Sequence, residues 1–280
     1  MHKLLAVTLC ILMHGSAWAQ PPIEVTVLCD AGYPPYSYAE NGEAKGLYND
    51  ILREVFARMP DYRVSIRPVP WPRGLAELAR GSSFALFPPY YRPQERPWMD
   101  YSRPILEESV VTFVRSASVQ QRALHDFPAA YAGLRIGLNR GFSIIVDPRY
   151  ALMLAEGALQ QSFAKDNRTN LLQLRQGRID VYINDRLSIL WELQRMNEEG
   201  LTGSKLDWLV EGSKLSSEHG YLGYTRLNAQ AYPYKDDFMQ RVDTALAELQ
   251  NDGSIARLAR RYSSIELRVA SDRLHPPPRQ

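Results

Sequence analysis

Strand-like and helix-like segments alternate along most of this chain, and the alternation constrains the fold more than any other feature of the sequence. A strand is predicted over residues 23–29, where side chains alternate in character up to the break at residues 30–32. A helix is predicted over residues 47–59, where apolar residues recur at helical spacing. A second strand over residues 64–69 and a second helix ending at Gly81 repeat the pattern. The sequence therefore predicts an α/β fold.

The same pattern returns in the middle of the chain between two extended segments, residues 109–114 and 221–225. Between them lie predicted strands at residues 134–138 and 179–183, each followed by helical segments. After the second extended segment, residues 236–262 are again helical in pattern. We therefore expect two units that are joined by two crossing strands, with a cleft between the units where a small ligand binds.

The composition excludes several kinds of site. The chain has 280 residues with five histidines and two cysteines, too few for a disulfide scaffold or a zinc site of repeated Cys and His. Basic and acidic side chains nearly balance, 33 against 31, so no surface for nucleic acid is expected. No metal or cofactor is predicted, and the chemistry is left to carboxylates, arginines, hydroxyls and aromatic rings.

The N-terminal segment is predicted to be a cleavable signal peptide. Lys3 gives the positive start, residues 4–13 give an apolar stretch, and Ala17 and Ala19 are the small residues that a signal peptidase reads. A membrane anchor is the alternative, but about 18 apolar residues are needed to span a bilayer. Cleavage after Ala19 leaves an exported protein that is not tethered to the membrane and whose remaining thiol, Cys29, has no partner for an internal disulfide.

Several short motifs occur in a fixed order along the chain. They are YPPY at residues 33–36, GLYNDI at 46–51, RPQER at 92–96, DYS at 100–102, RIG at 135–137, GRID at 177–180 and NDGS at 251–254. Each motif is weak alone, but their order and spacing resemble the family 3 extracellular solute-binding proteins, the polar amino-acid receptors of ABC importers. The resemblance spans nearly the whole mature chain and implies the type II periplasmic-binding fold, two α/β lobes joined by two hinge strands.

The resemblance also implies an organisation and a function. A signal peptide (residues 1–19) precedes a first lobe over residues 20–115, a second lobe over residues 116–219 and a return to the first lobe over residues 220–266, with a disordered tail over residues 267–280. Such a protein captures a small zwitterionic ligand, an amino acid or a derivative, by lobe closure. It delivers the ligand to an ABC permease in the inner membrane, and we expect a monomer without catalytic activity.

Four polar residues match the amino-acid site of the family. Arg96 matches the arginine that holds the ligand carboxylate through a planar fork of donors. Ser143, where a helix is predicted to begin, matches a hydroxyl residue of the second lobe, and a plain N-cap is its alternative role. Asp185 matches the acid that takes the ligand ammonium, with Asp30 as a second acceptor, and capping competes with binding at both positions.

Aromatic residues are predicted to enclose the side chain of the ligand. Tyr33 and Trp71 match the aromatic walls of the family, although aromatic rings belong more often to the core. Before the arginine the family usually has serine or threonine, whereas residues 88–89 are prolines here and have no N–H to donate. Tyr90 and Tyr91 offer ring surface instead, which favours an aromatic, bulky or less typical ligand.

Two other functions fit the same fold. A stand-alone sensor or accessory protein also needs only ligand-dependent closure, so the sequence does not separate it from a transport receptor. An enzyme such as a cyclohexadienyl dehydratase would need a carboxylate in the cleft as general acid. Because no distinctive acid–base pair is evident in the sequence, binding is favoured over catalysis.

Overall fold

The computed structural model describes residues 21–118, 124–202 and 208–262; the predicted signal peptide and tail lie outside the described residues. The strands, in chain order, are β1 (Ile23–Asp30), β2 (Gly32–Tyr33), β3 (Ser37–Glu40), β4 (Glu43–Lys45), β5 (Tyr62–Val69), β6 (Ala85–Phe87), β7 (Met99–Tyr101), β8 (Leu106–Arg115), β9 (Arg135–Asn139), β10 (Gln160–Ala164), β11 (Val181–Asp185), β12 (Leu209–Gly220) and β13 (Gly223–Thr225). The α-helices are α1 (Leu47–Ala57), α2 (Trp71–Ala79), α3 (Pro148–Ala155), α4 (Asn167–Arg175), α5 (Arg186–Glu198), α6 (Lys235–Asn251) and α7 (Ser254–Tyr262). Among the helices described, none has the length and apolar character needed to cross a membrane.

The first lobe is built on a five-stranded sheet in the order β5-β1-β6-β13-β7, with a small sheet of β2, β3 and β4 beside it. Strand β1 runs parallel to β5, with Ile23 opposite Tyr62 and Asp30 opposite Val69. The carboxyl end of β1 is buried on both faces, as is usual for parallel strands covered by helices. Helix α1 buries one apolar face in the same core through Leu47, Ile51, Leu52, Val55 and Phe56.

The second lobe is built on another five-stranded sheet, in the order β10-β9-β11-β8-β12. Strand β9 pairs in parallel with β10 and β11, whereas β8 pairs antiparallel with β11 and β12. Helices α4 and α5 pack against one face of this sheet, where Phe113, Tyr182 and Leu193 are fully buried in one apolar cluster. The predicted α/β architecture is therefore present in both lobes.

The chain crosses between the two sheets through β8 and β12, which pair with each other over most of their length. The sequence placed the second crossing at residues 221–225, but most of that run is β13 of the first sheet. Strand β12 comes before it and has register shifts between Glu211 and Ser216. Because its residues are largely polar and irregularly paired, no alternation of apolar residues marked it in the sequence. The lobe boundaries given above stay a prediction.

Strand ends from both sheets lead to one place between the lobes. Strand β1 ends at Asp30, β5 leads to Trp71 at the start of α2, and β6 leads to Pro88 and Tyr90. From the second sheet, β9 leads to the loop that carries Ser143. Ligands of open α/β sheets bind beyond the carboxyl ends of the strands, and these residues lie at such ends.

Candidate functional site

A cavity between the lobes brings together most of the residues that the sequence predicted. Its walls include Asp30, Tyr33, Trp71, Arg96 and Ser143. The free volume is about 30 Å³, and a water molecule needs roughly 10–15 Å³ by this kind of measure. The cavity therefore has room for about two waters, and an amino acid enters only if its walls move apart.

Arg96 brings a buried positive charge to this cavity. Its side chain is 7% exposed, and its Nη1 donates to the backbone oxygen of Tyr90 at 3.3 Å. The guanidinium carbon lies 5.9 Å from the ring centroid of Trp71, within range of a cation–π interaction. No carboxylate of the described residues pairs with Arg96, and burial lowers the pKa of its guanidinium. Such a group is suited to bind an external carboxylate.

Asp30 brings a buried acid to the same cavity. It is 3% exposed, and among the described residues the N–H of Gly32 is the single donor to its carboxylate, at 2.9 Å. Burial raises the pKa of Asp30 to about 7, because a carboxylate with so few donors is costly to desolvate. A cation in the cavity would reverse that shift by favouring the charged form.

Asp185 lies behind the cavity and does not line it. It is the N-cap of α5, where its carboxylate accepts the N–H of Ser188 at 2.9 Å and the N–H of Ser109 at 3.0 Å. It is 1% exposed, and burial raises its pKa to about 6. The capping role therefore occupies this carboxylate, and the structure does not bring it to the cavity.

Tyr91 also lies away from the cavity. It is 54% exposed and packs edge-on against the ring of Tyr101 and at a tilt against that of Tyr221, with centroids at 4.9 and 6.0 Å. Its neighbour Tyr90 is buried, bridges to Gly220 of β12 and lines the cavity. Successive side chains of an extended segment point to opposite sides, so only one of the two tyrosines faces inward.

Ser143 lines the cavity without capping a helix. The helix predicted to begin after it begins at Pro148, and its N-cap is Asp147, which accepts the N–H of Arg149. Ser143 therefore belongs to a loop between β9 and α3, and its backbone oxygen accepts a hydrogen bond from Arg92 Nε at 3.1 Å. The N-cap role is wrong for Ser143.

Glu108 of β8 is a residue that the sequence did not point to. It is 1% exposed and accepts hydrogen bonds from the hydroxyls of Tyr33, Tyr48 and Tyr90, the last at 2.6 Å. Burial, with the nearby charge of Asp185, raises the pKa of Glu108 to about 8. These bonds occupy the hydroxyls of Tyr33 and Tyr90, two residues that line the cavity.

The two lobes touch around the cavity through direct polar contacts. They include Trp71 Nε1 to Gly141 O (3.1 Å), Arg92 Nε to Ser143 O (3.1 Å) and Ser188 Oγ to Pro34 O (2.6 Å). In residues 21–118, 124–202 and 208–262 no group of three or more His, Cys, Asp or Glu side chains is placed to hold a metal ion. The site is thus a largely aromatic cleft with one buried acid and one buried guanidinium, closed by contacts between the lobes.

The sequence pattern of the bacterial extracellular solute-binding proteins, family 3, matches residues 25–265. The chain belongs to this family. A relative of this solute-binding protein is the L-cystine-binding protein TcyJ of Escherichia coli (strain K12), which is 21% identical over 233 residues, 82% of this chain and 79% of TcyJ. The resemblance read from the motifs is therefore confirmed.

Solved structures agree with this membership at the level of the fold. An ancestral arginine-binding protein bound to arginine has a TM-score of 0.67 and 15% identity, over 86% of this chain and 98% of that one. The ancestral amino acid-binding protein AncCDT-1, described as a precursor of cyclohexadienyl dehydratase, has a TM-score of 0.64 and 14% identity, over 85% and 94%. The predicted type II periplasmic-binding fold is confirmed.

Three buried acids of this solute-binding protein have raised pKa values and make its stability depend on pH. The pKa values of Asp30, Glu108 and Asp185 are raised to about 7, 8 and 6, from ordinary values near 4. Because the folded protein then binds more protons than the unfolded chain, the stabilisation is complete below about pH 4 and is lost as the pH rises through about 8. We expect the free energy of unfolding in urea to fall by roughly 5–8 kcal/mol between pH 5 and pH 8, at about 1.4 kcal/mol for each pH unit over which a group stays protonated only in the folded protein.

Glu108→Gln removes the group with the highest of these pKa values, so it should reduce the fall in unfolding free energy between pH 5 and pH 8 by about 3 kcal/mol. Glu107→Gln, at the exposed neighbouring position, is the matched control and should keep the native slope. An unfolding free energy that rises from pH 5 to pH 8 would contradict this account of the buried acids. If the unfolding free energy has the same pH dependence in native protein and in Glu108→Gln, Glu108 does not contribute to that dependence.

Proposed function

We propose that this protein captures an amino acid or a close derivative as a zwitterion and delivers it to the permease of an ABC importer. The observation that carries the proposal is that one cavity is lined by two buried groups of opposite charge, neither of which has an ionic partner among the described residues. Arg96 is a buried guanidinium without an ion pair among the described residues, and Asp30 is a buried carboxylate with one backbone donor. A ligand carboxylate and ammonium would satisfy both groups at once.

Residues of both lobes would then hold the ligand. Asp30 and Arg96 belong to the first lobe, and Ser143 adds a hydroxyl from the second. Because the cavity has a free volume of about 30 Å³, the lobes open to admit the ligand and close around it. The crossing strands β8 and β12 are where such a hinge motion takes place in a two-lobed protein.

Asp30 is the acid that we assign to the ligand ammonium, in place of Asp185. Asp185 accepts two backbone N–H groups at an N-cap, so its capacity is used within the fold. Asp30 accepts one such group and lines the cavity. The acid with fewer donors gains more from an incoming ammonium group.

We assign the mature protein to the periplasm after cleavage of residues 1–19, as a monomer that binds no nucleic acid. The family description as extracellular solute-binding proteins supports export. The names of the relative TcyJ and of the ancestral arginine-binding protein support binding as the activity. A sensor that lacks a permease would use the same cleft, and permease and ATPase genes beside this one would favour transport.

The assigned charges predict the effect of substitutions on ligand binding. A thermal-shift screen of the common L-amino acids identifies a ligand, since a ligand that binds only the folded state raises the melting temperature. For that ligand, titration calorimetry should show about 100-fold weaker binding in Arg96→Ala and at least about tenfold weaker binding in Asp30→Asn, because each loses a charge-assisted hydrogen bond.

Asp185→Asn is the control for these variants, because asparagine keeps the N-cap of α5 and should change the affinity less than about threefold. Native affinity in Arg96→Ala would remove the proposed site. A large loss of affinity in Asp185→Asn with no loss in Asp30→Asn would show that Asp185 binds the ligand ammonium.

An enzyme remains the second candidate because Asp30, with its pKa raised to about 7, could serve as a general acid. No second titratable group of the described residues lines the cavity with it except the hydroxyls of Tyr33 and Tyr90, which donate to Glu108, and Arg96. We therefore expect no aromatic product when prephenate or arogenate is incubated with the protein. Product that forms with native protein and is lost in Asp30→Asn would make the protein a dehydratase.

A further inference from the structure

The ring of Phe142 lies against two aromatic walls of the candidate site. Its centroid is 5.4 Å from that of Tyr33 and 6.2 Å from that of Trp71, with interplanar angles of 90° and 79°. Phe142 belongs to the loop between β9 and α3 of the second lobe, whereas Tyr33 and Trp71 belong to the first. We call the space between the Tyr33 and Trp71 walls the ring recess. A side chain of the protein itself therefore occupies the ring recess.

Phe142 also accounts for the small size of the cavity. It packs against the core of the first lobe, against the second-lobe cluster that contains Ile144, and against the cluster around Trp71. The backbone around it is held in the same place, since Trp71 Nε1 donates to the oxygen of Gly141 at 3.1 Å. With the phenyl ring seated there, about 30 Å³ of free space is left.

The ring recess offers aromatic surface and few polar groups. The hydroxyls of Tyr33 and Tyr90 donate to Glu108, the indole N–H of Trp71 donates to a backbone oxygen, and Pro88 has no N–H. A polar side chain placed here would leave its own groups unpaired, at a cost of roughly 1–3 kcal/mol for each. An aromatic ring would instead repeat edge-to-face contacts, worth about 0.5–1.5 kcal/mol for each pair.

We propose that Phe142 is a specificity-determining residue: its ring competes with the ligand side chain for the ring recess, so that an aromatic amino acid displaces it and a smaller one does not. The inference rests on the proposed function, because Arg96 and Asp30 anchor the ligand whose side chain enters the recess. Phe142 lowers the apparent affinity for an aromatic ligand, because only the molecules whose recess is free of the Phe142 ring can accept the ligand ring. A ligand ring recovers that cost through its own contacts with Tyr33 and Trp71.

The test compares two probes, L-phenylalanine and L-alanine, by titration calorimetry in native protein and in Phe142→Ala. L-Phenylalanine should bind native protein, because its ring takes over the contacts with Tyr33 and Trp71 that the displaced ring of Phe142 gives up. Phe142→Ala removes the competitor and should tighten L-phenylalanine by about tenfold. L-Alanine leaves the recess to Phe142, so its affinity should stay within about twofold.

Phe163→Ala is the matched control, because this phenylalanine of β10 lies in the same lobe, is 46% exposed and does not line the cavity. It should change neither affinity. If circular dichroism shows that Phe142→Ala is unfolded, Phe142→Leu replaces it, and a threefold or greater tightening of L-phenylalanine supports the proposal. Unchanged or weaker binding in Phe142→Leu contradicts it.

The remaining outcomes also test the proposal. Weaker binding of L-phenylalanine in Phe142→Ala would make Phe142 a wall that holds the ligand, and equal tightening of both probes would mean that it blocks the whole site. Either result overturns the competition. If native protein binds another amino acid in an Arg96-dependent manner but not L-phenylalanine, the aromatic specificity fails while the proposed function stands. Native affinity of the bound amino acid in Arg96→Ala would defeat the proposed function itself.

Discussion

Three carboxyl groups are buried where the two lobes meet, and the donors that each one receives decide what the cleft can bind. Asp185 accepts two backbone N–H groups at the start of α5, and Glu108 accepts three tyrosine hydroxyls. Asp30 accepts the N–H of Gly32. Because a buried acid with few donors is costly in its charged form, Asp30 is the group whose energy changes most when a cation arrives. The position of Arg96 on the same cavity completes the site that we propose for a zwitterion.

The hydrogen bonds of the buried acids also explain why the walls of the cavity are aromatic. Glu108 draws hydroxyls from β2, α1 and the segment after β6 toward β8, one of the two strands that join the lobes. Space for this cluster is tight, since a Cβ at Gly220 of β12 would lie 1.9 Å from the hydroxyl of Tyr48. The cluster therefore fixes the rings of Tyr33 and Tyr90 with their carbon faces available, and Phe142 shows that a ring packs well in that setting. The proposed side-chain recognition thus depends on this set of buried hydrogen bonds, and Arg96 is joined to it through the backbone oxygen of Tyr90.

Much of the fold and part of the site could be predicted from the sequence because the signals were local. Asp30 stands at the end of an alternating strand, and strand ends gather at one edge of a parallel sheet. Other features depended on distant packing. An acid at the position of Asp185 can bind a ligand or cap a helix, and the local sequence is the same in both cases. Which of Tyr90 and Tyr91 faces the cavity depends on how the extended segment is oriented. Nothing in the local sequence distinguishes the buried Glu108 from an exposed acid. The polar strand β12 was missed for the same reason, since its pairing with β8 and not an apolar pattern makes it a strand.

Proton release on ligand binding is the most direct test of the claim that Asp30 binds the ammonium group of the ligand. Its pKa is raised to about 7, so most molecules carry a proton on Asp30 at pH 6, and a bound ammonium group would displace it. Calorimetric titration of the best-binding amino acid at pH 6, in buffers of different ionisation enthalpy, measures the number of protons exchanged. The account predicts release of close to one proton in native protein and of about none in Asp30→Asn. Proton uptake, no exchange, or equal release in Asp30→Asn would contradict it.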